Sequence, residues 1–398
     1  MRARKILFSL LYIAFLLAIL EVASYLVVVH LYDNKLGNKS ERHLYSSIRG
    51  HQLNPDYSRS FDTGNARIHS SQGFRRDGTV SVAKPDDTFR IIVLGGSTLY
   101  GIGVQPGDFY PAHPTLSNTE TVPYYLETEL KEYFAGLSPS RKVEVINAGV
   151  TAYHTFQHVL YFYETLYEYE PDMVLFLDGH NDFYNVGVTN PIKQYGYSSV
   201  NMVDALNRRK PFFSLHVFVN VFAEKSYFFK LVAKSTKVLF EKYEVTPYNT
   251  AGDYTALDRD FVSEFKETAH TGFMRNYMLI DSFANYYDFC FHVFLQPEVV
   301  FEELSLLSDH DANIADITRT HYGQPREELM KRSREQFSDL FSRNGIDFTD
   351  IGEIGGTEHK DEALYIDYTH LTPRGSKLVA DRMLPVIKRM VPQCGQSR

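Results

Sequence analysis

The chain contains no tryptophan and only two cysteines, Cys290 and Cys394. No CxxC pair and no Cys/His spacing of the metal-binding kind is present, which excludes a structural zinc site. A long basic stripe is also missing. The basic clusters are as short as Arg208-Arg209-Lys210, and the formal net charge is −8. A mildly acidic chain of this kind is a poor polyanion binder, so nucleic acid is excluded as a partner. The sequence has no internal repeat, no low-complexity tract and no GK[ST] signature of a phosphate-binding loop. Charged residues at 23% and hydrophobic residues at 44% of 398 positions describe a folded chain, large enough for one sizeable core or two modest ones. What it has in quantity is tyrosine (28) and phenylalanine (29), which mostly fill core. Cys290 stands in an apolar run and reads as a small buried hydrophobe. A Cys290–Cys394 disulfide is the alternative in an oxidising compartment.

The N-terminus carries an almost continuous apolar run from Ile6 to Val29, preceded by Arg2, Arg4 and Lys5. At about 1.5 Å per residue a helix of that length spans a hydrocarbon layer of about 30 Å. The expectation is a single-pass anchor over residues 1–30, with a cytoplasmic N-terminus and everything after His30 extracytoplasmic. A signal peptide cleaved near Val22-Ala23-Ser24 is the alternative, but apolar residues continue through Val29. Glu21 is costly at membrane depth. It either reaches toward headgroups or serves helix packing.

Residues 31 to about 87 are polar and read as a linker and wrapping segment. Strands then alternate with helices. Apolar, β-branched runs place strands at Phe89–Leu94, Val143–Ile146, Met173–Leu177, Phe289–Leu295 and Ile346–Thr349. Helical periodicity marks Thr121–Phe134, Thr155–Tyr169, Gly272–Tyr287, Arg326–Arg343 and Pro373–Met390. Such alternation predicts right-handed crossovers and a parallel sheet covered on both faces, over residues 88–392. Ligands of these sheets sit outside the carboxyl ends of the strands. That directs attention to loops 95–103, 147–154 and 178–185. The stretch of about 185–270 is too long for a bare loop. It reads as an inserted helical, cap-like segment, with an apolar stripe in Ser226–Tyr243 and an aromatic run at Pro211–Phe222.

Ser97 follows a strand and two glycines, in LGGST. Taken alone, such a loop could equally cradle a phosphate. Asp367-Tyr368-Thr369-His370 precedes Thr372 and Pro373, an N-cap and first-turn pair that opens the last helix. An aspartate three residues before a histidine can hold one imidazole nitrogen while the other takes a serine proton. Gly149 can offer its N–H and Asn181 its side-chain amide to a developing oxyanion. His180, Asp182, Tyr100 and Tyr153 flank these motifs, as cleft-lining or as structural residues.

The ordered blocks GGS, Gly, GxND and DxxH resemble those of the SGNH, or GDSL-like, esterases and lipases, in a membrane-anchored bacterial form. Ser97 matches the first block, Gly149 the second, Asn181 the third, and Asp367 with His370 the last. Gly96 stands where that family often has Asp. The resemblance covers roughly residues 73 to 390 and leaves the insertion unmatched. It implies an α/β/α sandwich with a parallel, flavodoxin-like sheet, here preceded by the transmembrane helix, and no metal or cofactor. It also implies an acyl-serine route with Ser97 as nucleophile, His370 as base and Asp367 as its orienting partner. The Ser97 N–H, Gly149 N–H and Asn181 amide would form the oxyanion hole. The substrate expected from this reading is an acylated, foremost acetylated, extracytoplasmic glycan or a lipid. An O-acyltransferase using the same residues and a catalytically silent polysaccharide-binding or assembly module remain the alternatives.

Overall fold

Two apolar runs, TFRIIVLG and MVLFLD, become strands that are buried at every position. Such continuous burial requires cover on both faces. The computed structural model describes residues 2–27, 42–46, 48–55, 57, 68–104, 108–182, 226–229, 231–232 and 259–394. The chain divides into two compact units, Met1–Glu41 with Ser198–Gly252, and Arg42–Tyr197 with Asp253–Arg398.

In the first unit, helix α1 spans Arg2–Val27. The membrane anchor expected over residues 1–30 is overturned. Among the described residues, no helix is long and apolar enough to cross a membrane. Glu21 interrupts the apolar series of α1. The single-pass topology, the membrane partnership and the extracytoplasmic placement that rested on this segment are withdrawn with it. Glu21 takes the packing role. Its carboxylate accepts the Ser226 hydroxyl at 2.7 Å and the N–H groups of Tyr227 and Phe228, so it caps the start of a second helical segment. Tyr25 meets Tyr227 edge to face at 4.9 Å. Most of the expected cap-like insertion, including the Pro211–Phe222 run and the greater part of the Ser226–Tyr243 stripe, lies outside the described residues.

The second unit opens with an antiparallel hairpin, β1 (His43–Ser46) and β2 (Gly50–Leu53), inside the stretch read as a linker and wrapping segment. Then come β3 (Thr88–Gly95), the one-turn α2 (Ser97–Tyr100), α3 (Val122–Ala135), β4 (Lys142–Asn147), α4 (Thr155–Glu164) and β5 (Met173–Asp178). They are followed by α5 (Arg259–Tyr287), β6 (Cys290–Leu295), α6 (Asp309–Asn344), β7 (Phe348–Asp350) and α7 (Pro373–Met390). The five strands pair in parallel in the order β4-β3-β5-β6-β7. Numbered within the sheet this is 2-1-3-4-5, the flavodoxin-like order. Helices α3 and α7 pack together, as do α4, α5 and α6, so the sheet is flanked by two helical groups. Phe162 of α4 stacks on Phe283 of α5 at 5.6 Å, and Phe273 of α5 meets Phe337 of α6 at 4.4 Å.

Three element boundaries depart from the sequence reading. The helix begun at Thr155 stops at Glu164 and passes into a 3-10 turn, Leu166–Tyr169. Helix α6 starts at Asp309, well before Arg326, and breaks at Gly323, whose φ is 73°. Gly323 and Pro325 look like a terminus in sequence, yet here Pro325 falls in the first turn of a restarted helix, where its missing N–H is not needed. Helix α5 likewise begins earlier than Gly272, at Arg259. Cys290 is no lone hydrophobe. It is bonded to Cys394, joining the start of β6 to the end of the chain.

Candidate active site

The strand ends converge as parallel-sheet topology dictates. Strand β3 delivers Gly95-Gly96-Ser97, the turn after β4 runs from Ala148 to His154, and β5 leads into Gly179-His180-Asn181-Asp182. Ser97 opens α2, and the N–H of Gly101 closes that turn on the Ser97 carbonyl at 2.9 Å.

The last loop supplies a histidine and the aspartate that holds it. Asp367 is 5% exposed. Its Oδ1 accepts the N–H groups of Thr369 at 2.9 Å and His370 at 2.8 Å. The N–H of Ile366 donates to the His370 carbonyl at 2.9 Å, and the Thr372 side chain caps α7 by accepting the Gly375 N–H. This tight turn presents His370 Nδ1 to Asp367 Oδ2 at 2.6 Å. A carboxylate only accepts, so Nδ1 carries the proton and Nε2 presents its lone pair. Ser97 Oγ lies 2.7 Å from that Nε2 and donates to it. Burial would raise the Asp367 pKa, but the charge and hydrogen bond of His370 and the two backbone donors outweigh it and hold the carboxyl below its ordinary value. Ser97, His370 and Asp367, 273 and 3 residues apart along the chain, therefore form one hydrogen-bonded line.

Of the two other sequence-derived residues, one is at the site and one is beside it. The Asn181 amide donates to the Tyr153 carbonyl at 2.8 Å and lies against Gly96. A Cβ at residue 96 would stand 2.6 Å from Asn181 Nδ2, which gives a physical reason for glycine there instead of the aspartate of the GDS pattern. The N–H of Gly149 is engaged elsewhere, donating to Asn147 Oδ1 at 2.9 Å. Gly149 is a close-packing residue: a Cβ there would meet the Tyr100 N at 2.9 Å. Further round the same turn, the Tyr153 N–H closes on the Val150 carbonyl, and Ala152 stands exposed at its tip with φ of 62°. A non-glycine residue in that region costs roughly 1–2 kcal/mol. Sequence reading singled out the glycine and passed over the alanine, because alanine carries no turn signal.

The flanking residues divide as well. Tyr100 is fully buried, with its hydroxyl 2.8 Å from His69 Nε2. The Tyr153 hydroxyl donates to the His51 carbonyl at 2.5 Å. Both act as framework. His180 is buried and paired through Nδ1 with Glu298 at 2.5 Å, and its ring rests 5.1 Å from Tyr368. Arg75, in the stretch read as a wrapping segment, is buried, and among the described residues it has no carboxylate hydrogen-bond acceptor. It donates to the carbonyl of Tyr100, at the end of the Ser97 turn, and to those of Ile68 and Leu116.

Asp182 closes the Asn181 loop onto α4, accepting the Thr155 hydroxyl at 2.8 Å and the Thr155 N–H. Next to it Asp178 accepts from Tyr277 at 2.8 Å and from His158 at 3.1 Å. Burial, and then the Asp178 charge, push the Asp182 pKa up to about 7. A raised carboxyl pKa favours the folded state most below the ordinary carboxylate range, and that contribution is lost as pH rises toward 7. In Asp182→Asn the amide oxygen still accepts from Thr155, and nothing ionises. Urea unfolding at pH 5 and pH 8 is expected to show the variant gaining on the order of 2 kcal/mol on the parent across that interval. Parallel stability curves would contradict it.

Gly96→Ala carries a different expectation. The atom it meets is the end of a flexible side chain, so the fold yields by moving Asn181. With Asn181 in the oxyanion role that the sequence reading expects of it, activity should fall roughly 10²-fold, with the thermal midpoint shifted by only a few degrees. Full activity in a folded Gly96→Ala would detach Asn181 from the chemistry.

Among comparisons with known proteins, no family model matches the chain and no curated protein matches it. Solved structures do align with it. An acetyl xylan esterase is 12% identical over 75% of this chain and all of its own, with a TM-score of 0.35. A GDSL-like lipase from Bacteroides thetaiotaomicron is 12% identical over 75% of this chain and 88% of its own, with a TM-score of 0.35. A catalytic mutant of an acetylxylan esterase from Geobacillus stearothermophilus is 12% identical over 75% of this chain and 93% of its own, with a TM-score of 0.36. The functional reading rests on the geometry of the site.

Proposed function

We propose that this chain is a serine esterase of the SGNH type that cleaves carboxylic acyl esters through an acyl-Ser97 intermediate. The observation that carries it is the Ser97–His370–Asp367 line at 2.7 and 2.6 Å. His370 takes the Ser97 proton as Oγ attacks the ester carbonyl, then returns it to the departing alkoxide. Asp367 holds the tautomer and stabilises the imidazolium. Water then attacks the acyl-enzyme by the same route in reverse, with His370 again the base.

The oxyanion falls to the Ser97 N–H, the Asn181 amide and, in place of Gly149, the N–H of Ala152. Two facts support that exchange: the engaged N–H of Gly149 and the strained backbone of Ala152 at an exposed turn tip, one residue before Tyr153, whose carbonyl accepts the Asn181 amide. The mechanism asks nothing of a metal.

The test is hydrolysis of p-nitrophenyl acetate, butyrate and laurate by the full chain. Turnover that disappears in Ser97→Ala is expected, and the preferred chain length assigns a short- or long-acyl site. No turnover of any ester, with or without an added sugar acceptor, would sink the reading.

A further inference from the structure

Ser97 and His370 come from strands that do not touch. Strand β3 leads to Ser97 and β7 leads to the Asp367 loop, with β5 and β6 between them in the sheet. Something must hold the two loops at hydrogen-bonding distance across that gap. Gln296 stands immediately after β6, with its N–H donating to the Asp178 carbonyl at 2.8 Å, so its backbone is fixed to the neighbouring strand. Its side-chain Nε2 lies 3.0 Å from the Thr98 hydroxyl and 2.7 Å from the Thr369 hydroxyl. Thr98 follows Ser97 and Thr369 precedes His370. The Thr98 hydroxyl in turn donates to the Thr369 carbonyl at 3.3 Å. Gln296, Thr98 and Thr369 are 3%, 3% and 1% exposed, so water does not compete for these bonds.

We propose that Gln296 is a positioning residue that sets the Ser97–His370 distance by clasping Thr98 and Thr369. The inference rests on the esterase reading of this site. The direction of the bonds is what makes it specific. A primary amide nitrogen has two N–H groups, one for each threonine oxygen. That leaves the Thr98 proton directed at the Thr369 carbonyl. An ionised carboxylate in the same place can only accept, so both threonines must turn their protons toward it, and the Thr98–Thr369 bond is lost. Displacement of reacting groups by a fraction of an ångström lowers the rate steeply without weakening binding.

The experiment uses Gln296→Glu in the full chain and reads the fluorophosphonate labelling of Ser97 as separate binding and inactivation constants, from pH 5 to pH 9. The inactivation rate is expected to fall roughly 10- to 100-fold at high pH, with binding within twofold of the parent. It should recover toward the parent at low pH, where the glutamic acid again donates. A profile that overlays the parent's, or a loss confined to binding, overturns the proposal. Should Gln296→Glu fail to fold, Thr98→Ser and Thr98→Val decide. Serine keeping the parent rate while valine loses about tenfold supports the clasp; valine at the parent rate overturns it. A parent chain that fails to label at all refutes the esterase reading itself, a result distinct from a labelled parent with indifferent variants.

Discussion

Replacing His370 by alanine is expected to lower kcat/KM for a p-nitrophenyl ester by 10³- to 10⁶-fold, and adding Ser97→Ala is expected to cost little more. The argument is structural. Ser97 Oγ is an ordinary, weakly acidic hydroxyl until its proton has somewhere to go, and His370 Nε2, at 2.7 Å, is the acceptor placed for it. Two groups that act as one unit fail together, so their losses do not add. Each single variant and the double variant should therefore sit on a common residual rate, supplied by binding and the oxyanion donors alone. Losses that multiply in the double variant would mean that serine and histidine act independently, and the account would fail. The fold should tolerate both changes. Ser97 and His370 are only partly buried, and neither fills the core.

The second large effect is expected at Asp367→Asn, roughly 10⁴-fold in kcat. The reason lies in the backbone. Oδ1 accepts two N–H groups, from Thr369 and His370, so an asparagine must turn its oxygen to that side and its NH₂ toward His370. Nδ1 then becomes the acceptor, the ring proton moves to Nε2, and the nitrogen facing Ser97 can no longer take a proton. The turn itself survives, because both backbone bonds are kept. Kinetics and circular dichroism on the same preparation separate the outcomes. A folded variant within tenfold of the parent would show that Asp367 does not set the tautomer.

Much of the sheet could be read in the sequence because its strands are buried on both faces. FRIIVL and MVLFL admit little other than parallel strands between glycine-rich turns. The loop carrying Asp367 and His370 was legible for a similar reason: Thr372 and Pro373 mark a helix start whatever surrounds them. Three things were not legible. The apolar N-terminal run looked like an anchor, yet Glu21 uses its carboxylate to cap a helical segment some two hundred residues away, a contact that hydropathy does not encode. Gly149 was picked as an oxyanion donor on residue type. Only coordinates show its N–H on Asn147 and the strained Ala152 at the turn tip. Gln296 was missed although the strand-end rule points to it. It follows FCFHVFL as Ser97 follows FRIIVLGG, but a lone glutamine announces nothing until its amide is seen between two threonines.

The most direct measurement is the intact mass of the full chain after treatment with a fluorophosphonate, with the modified peptide sequenced. The account predicts one adduct per chain, located on Ser97, absent in Ser97→Ala and greatly slowed in His370→Ala. An adduct on another residue, or none in protein shown to be folded, would contradict it.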